Sequence, residues 1–203
     1  MNQNPASENF LKFFEWSQSF LKKHNKVCKI VPSKTVLMDG IKVAGWCDGN
    51  EMMVASNSSL FEQNYVHEFS HMQQVVNFSP YWKDEFIFWD HLQNDKIGIP
   101  SWPFVLEIIA LERDCERRSL AHSKKWGLFD NKEYAKHANL YLYFYQYLFL
   151  KKKWEKSIKI YHPILLELMP ETLVSFKKLK TINVDLMHLF DECLDKKGIY
   201  FIK

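Results

Sequence analysis

The sequence predicts an α+β fold: a small antiparallel or mixed sheet near the N-terminus, a helix directly after it, and a largely helical C-terminal half. Three observations carry this. Short runs rich in Val, Ile and Met between Val27 and Ser56 are punctuated by Pro32, Asp39-Gly40 and Asp48-Gly49-Asn50, the signature of short strands joined by tight turns. Helical periodicity precedes this stretch and dominates the remainder of the chain. With 203 residues, 47% hydrophobic and 16% aromatic, the chain can bury one sizeable core. A single domain over 1–203 is expected, with the first helix, sheet and second helix in 1–76 and the helical remainder in 77–203.

Asn4-Pro5 offers an N-cap and first helical position, and Phe10, Phe13, Phe14, Phe20 and Leu21 recur at helical spacing up to His24. The β stretch then reads as an antiparallel meander ending in a hairpin of about Ile41–Cys47 with Glu51–Ala55. Ser59 and Glu62 form a capping-box pattern, so a helix is predicted from Leu60 to about Val76. After a stretch with several prolines and tryptophans, Ser101 and Pro103 open a long helix that runs to Trp126 and stops at Gly127. Asp130 and Glu133 open another, rich in tyrosine. Beyond His162-Pro163, helical patterns cover roughly Ile164–Met169, Glu171–Leu179 and Val184–Lys196, with Gly198 as a stop.

Composition narrows the function classes. Twenty-seven basic and 24 acidic residues are spread along the chain, so no field of one sign exists to attract nucleic acid or anionic lipid. Cys28, Cys47, Cys115 and Cys193 lie far apart without Cys-x-x-Cys spacing, and the N-terminus lacks the basic and apolar regions of a signal peptide. An intracellular, cytoplasmic setting is expected. The most apolar stretch, Ala138 to Leu150, is shorter than the roughly 20 residues a bilayer requires and carries four tyrosines, so a buried helix is expected and no membrane partner. The run Tyr141-Leu142-Tyr143-Phe144-Tyr145 is apolar nearly all round, which suits a covered helix better than a nucleic-acid stacking surface.

The chemistry concentrates in His67-Glu68-Phe69-Ser70-His71. Histidines at i and i+4 stand about 40° apart around a helix and one turn along it, so both imidazoles can reach one metal ion. Glu68, beside the first histidine, is placed to act on water at that metal. Val66, Phe69, Met72 and Val76 form an apolar stripe on the other side, which leaves the histidines facing a cleft or solvent.

On the helix opened by Ser101, the angular neighbours of Glu112 are Val105, Ile108, Ile109, Cys115 and Ser119, so this carboxylate points into an apolar face. Glu107, Asp114, Arg117 and Arg118 take the polar side. A buried carboxylate is costly unless something positive meets it, and a zinc ion held by two histidines would do so. Glu112 is therefore the third ligand of choice, with Asp114 as its competitor after a one-turn slip. Glu116, one turn on, can accept the remaining ring N–H of a ligating histidine. Cys115 and Cys47 could also approach a metal, although lone cysteines more often pack as small core residues.

His67-Glu68-Phe69-Ser70-His71, succeeded on a later helix by Glu112-Arg113-Asp114-Cys115-Glu116, resembles the gluzincin arrangement of zinc peptidases, HExxH and then Glu-x-x-x-Asp. The resemblance spans about Lys34 to Ala121 and extends to minimal gluzincins such as prenyl-protein peptidases, peptidases that cleave phage repressors and, more loosely, small phage-encoded metallopeptidases. It implies a zincin-like fold, a Zn²⁺ cofactor on His67, His71 and Glu112, Glu68 as general base, and a histidine-supporting role for Glu116 where the clan has Asp. It also implies a protein or peptide substrate lying along the edge of the hairpin around Trp46 to Met53. A tyrosine or histidine from the C-terminal part would stabilise the oxyanion, with Tyr161 and His162 as candidates and Tyr134, His137, Tyr141 and Tyr145 as others. The alternative is a non-catalytic module that keeps the fold and binds a protein partner, although structural zinc has no need of Glu68.

Overall fold

The computed structural model describes residues 7–38, 41–82, 101–151 and 161–194. Its contacts divide the chain into two compact units, 1–82 with 115–131, and 83–114 with 132–203. The architecture is mixed α+β, with small sheets and several helices.

In the first unit, helix α1 (Glu8–Lys23) starts at Ser7, whose hydroxyl accepts from the Phe10 N–H; Asn4 and Pro5 lie outside the described residues. The helix buries Phe10, Phe13 and Leu21. Strands β1 (Val27–Val31), β2 (Val36–Met38), β3 (Ile41–Val43), β4 (Gly45–Cys47) and β5 (Glu51–Ala55) come next. They are not one antiparallel meander. The first strand pairs in parallel with β5, Val27 opposite Glu51, while β4 pairs antiparallel with β5, Trp46 opposite Met53. The predicted hairpin strand from Ile41 is broken in two: β3 turns away to pair with β2 in a separate two-stranded sheet. The turn between β4 and β5 closes as the sequence implies. The Asp48 carboxylate accepts from the N–H groups of Asn50 (2.8 Å) and Glu51 (2.7 Å), and Gly49 takes a φ of 86°, a conformation glycine adopts without a Cβ penalty.

Helix α2 (Phe61–Val76) begins one residue later than expected and without the predicted capping box. Its N-cap is Leu60, with no side-chain cap. The Ser58 hydroxyl accepts from the Leu60 N–H, and Glu62 reaches across the chain to accept from the Ser7 N–H at 2.9 Å. A long-range tie has replaced the local one. Tyr65, Val66, Phe69 and Met72 are fully buried and join Phe10, Phe13, Met52 and Val54 in the core of this unit.

Helix α3 (Trp102–Trp126) has the predicted span and ends at Gly127, whose φ of 65° is a left-handed helix stop. Asp114 departs from expectation. It is buried, as is Leu111, and both lie off the stripe of Val105, Ile108, Ile109 and Glu112, so the covered arc of the helix is wider here than an amphipathic pattern allows.

In the second unit, helix α4 (Asn131–Lys151) is buried nearly all round, with Leu140, Leu142, Phe144, Tyr145 and Leu148 in the core. The later helices are α5 (Pro163–Glu167), α6 (Phe176–Leu179) and α7 (Val184–Leu194). The first two are shorter than predicted, and the late start of α6 has a physical reason. Asn139 donates to the carbonyls of Pro170 and Thr172 and accepts from the Val174 N–H, and Gln146 donates to the carbonyls of Leu179 and Thr181. Buried amides on α4 thus satisfy backbone groups of an irregular segment that has no helical partners for them. Lys196 and Gly198 lie outside the described residues. Among the described residues no helix is long and apolar enough to cross a membrane.

Candidate metal centre

The site is built on α2 and the second half of α3. The Nε2 atoms of His67 and His71 face each other at 3.2 Å. Metal–nitrogen bonds of about 2.0–2.1 Å in tetrahedral geometry separate two donors by roughly 3.3 Å, so the pair already stands at bidentate spacing. Each ring is held from behind. His67 Nδ1 lies 3.2 Å from a Glu116 carboxylate oxygen, and His71 Nδ1 lies 2.8 Å from the Gln74 amide oxygen. Both acceptors favour a proton on Nδ1, which leaves the two Nε2 atoms turned toward each other to share a proton or a metal ion.

Cys115 completes a cluster of His67, His71 and Cys115 whose donor atoms lie within 4.8 Å of one another and which can hold a metal ion. Its thiol is fully buried, donates to the His67 carbonyl at 3.2 Å, and lies 3.6 Å from His67 Nδ1, the side of the ring away from His71. Burial alone would lower the pKa of His67. The neighbouring Cys115 and Glu116 outweigh it and raise that pKa well above the ordinary imidazole value. The surroundings of His67 thus favour positive charge.

The cluster is more enclosed than the sequence implied. His71 is 5% and Glu68 7% exposed, so these side chains do not face open solvent. The Trp82 ring lies 5.9 Å from His71, and β4 covers Glu68. A Cβ at Gly45 would sit 2.8 Å from Glu68 Cγ and 2.9 Å from its Oε1, so the missing side chain of Gly45 is the space this carboxylate occupies.

Two further polar pairs extend the contact along the same helices. The Ser119 hydroxyl donates to the Ser70 hydroxyl at 2.9 Å, and His122 Nε2 meets the Gln73 amide oxygen at 2.7 Å. Together with His67 and Glu116 they form a ladder in which residue i of α2 meets residue i+49 of α3, every third residue. The His122 ring packs among Phe13, Trp16 and Phe69. Burial first, and then Lys125 and Arg118, lowers its pKa to about 4.

Comparison with protein-family models, curated proteins and solved structures finds no match to this chain.

The other residues singled out in the sequence occupy different surroundings. Glu112 is buried in the second unit, where the Tyr145 hydroxyl donates to its Oε1 at 3.2 Å; along α3 it precedes Glu116 by one turn. Tyr161 and His162 also belong to the second unit. The Tyr161 ring lies 4.9 Å from that of His137, and His162 caps α5 by accepting from the Ile164 N–H. Cys47 is half-buried on β4 against the core of the first unit. Gln74 and Gly45 went unnoticed in the sequence. An amide side chain three positions after His71, on the same helix face, was the available signal for Gln74; Gly45 had none, because its role depends on the strand lying over α2.

Proposed function

We propose that this chain is a zinc-dependent hydrolase, a metallopeptidase of the gluzincin type with a zincin-like fold. One observation carries the reading: two imidazole Nε2 atoms converge at 3.2 Å while both Nδ1 atoms are turned to acceptors behind them. The donors fit zinc, a borderline ion that takes imidazole nitrogen together with carboxylate oxygen or thiolate. When bound there, zinc would supply Lewis acidity and lower the pKa of a water molecule.

His67 and His71 hold the ion, and Glu116 and Gln74 keep their rings turned toward it. Glu68 takes a proton from the attacking water and returns it to the leaving amine, a role supported by its place next to His67 and by the room Gly45 leaves for its carboxylate. A third donor comes from α3. The sequence assigns Glu112; Cys115 lies in the cluster but spends its thiol proton on the His67 carbonyl. The substrate is a protein or peptide, and β4, the terminal strand of its sheet, suits an extended segment added alongside it.

The test is metal analysis of the purified parent and Glu68→Gln proteins, with a peptide library as substrate. Stoichiometric zinc in both and cleavage by the parent alone is the expected result. Zinc in both without cleavage by either would favour a non-catalytic module, and no zinc in either removes the site. Glu112→Ala and Cys115→Ser, compared for zinc affinity, identify the third ligand.

A further inference from the structure

Within that zinc-site reading, we infer that Gln74 is a positioning residue that selects the tautomer of His71. Gln74 is fully buried three residues after His71 on α2, and its amide oxygen lies 2.8 Å from His71 Nδ1. An amide oxygen only accepts, so the ring must carry its proton on Nδ1 and present Nε2 as a lone pair. That lone pair faces His67 Nε2. A ring with the opposite tautomer would present an N–H to the metal position and exclude the ion.

The two histidines are therefore set by unlike partners. His67 is backed by the Glu116 carboxylate from a different helix, whereas His71 is backed by a neutral amide from its own helix. The Gln74 contact spans one turn within α2, so this partner comes from the same helix as the histidine it backs. Its neutrality matters as well. With Glu116 and Glu68 both buried, a further carboxylate behind His71 would add negative charge to an enclosed cluster, and the amide orients the ring without doing so.

The experiment uses full-length, metal-free protein labelled with ¹⁵N-histidine, read by long-range ¹H–¹⁵N correlation and then titrated with zinc against a competing chelator. In the parent, His71 should show a protonated Nδ1 and a bare Nε2; the reverse assignment overturns the inference. Gln74→Leu should lose that single tautomer and bind zinc about 10–100-fold more weakly, the usual cost of losing such a partner. Gln74→Glu, which keeps an acceptor, should restore the Nδ1–H tautomer. An unchanged His71 spectrum in Gln74→Leu also overturns the inference. If Gln74→Leu does not fold, the parent spectrum and Gln74→Glu decide. A parent that shows the Nδ1–H tautomer yet takes up no zinc would remove the zinc reading and leave the action of Gln74 on His71 standing.

Discussion

His67 and His71 bring their Nε2 atoms to 3.2 Å, closer than two bare lone pairs would settle. With Glu116 and Gln74 each placed to take an Nδ1–H, a proton held on His67, whose pKa is raised, would bridge the two rings in the metal-free protein. Zinc bound at this pair would displace it. Zinc uptake near neutral pH is therefore expected to release roughly one proton from this pair. Calorimetric titration in two buffers of different ionisation enthalpy counts it, and uptake with no proton release would contradict this geometry. Glu116→Gln should reduce both the proton count and the zinc affinity.

Gly45→Ala places a methyl group in the space of the Glu68 side chain. Zinc content should be unchanged, because neither histidine is touched, while peptide cleavage falls roughly 100-fold, the scale set by an ångström of misplacement in a reacting group. Equal loss of zinc and of activity would show that Gly45 serves the fold and not Glu68.

His122 gives the first unit a pH dependence. Its folded pKa, about 4, lies below the ordinary value near 6.5, so the unfolded chain binds the proton more readily. The stability it contributes is complete above about pH 6.5 and is lost as pH falls toward about 4. Urea unfolding across that window should show a steeper decline for the parent than for His122→Asn. Parallel curves would refute the assignment.

Asn139 holds three backbone groups of the segment from Pro170 to Val174 from a fully buried position. Asn139→Leu strands them all. A loss of about 3 kcal/mol is expected, since each buried group left unsatisfied costs about 1–3 kcal/mol and some will regain water. The urea midpoint measures it; a change under about 1 kcal/mol would mean that the segment repacks freely.

The features legible in the sequence were local or periodic. Ser101, Pro103 and Gly127 bracket α3 because stops and starts of helices are written in neighbouring residues. The burial of Glu112 and Glu116 comes from the phase of that helix. The convergence of His67 and His71 comes from their spacing. The parallel pairing of β1 with β5 was hidden, because nothing near Val27 names a partner at Glu51. So was the fate of Glu62, which reads as a cap from its neighbours and is claimed by Ser7 instead. Asp114 looked solvent-facing because an amphipathic pattern assumes one covered face. The helix ending at Leu179 starts later than its periodicity suggests for a related reason: the backbone from Pro170 to Val174 is bonded by Asn139, far away in sequence.

The ladder between α2 and α3 has a consequence for recognising other chains of this kind. It amounts to two three-letter words, His-Ser-Gln at positions 67, 70 and 73 and Glu-Ser-His at positions 116, 119 and 122, each read at every third residue and each spelling the complement of the other. A single inserted residue inside either word would scramble every letter after it, whereas loops between the words can lengthen or shorten without altering the spelling. Distant kin should therefore keep both words intact while the distance between them drifts.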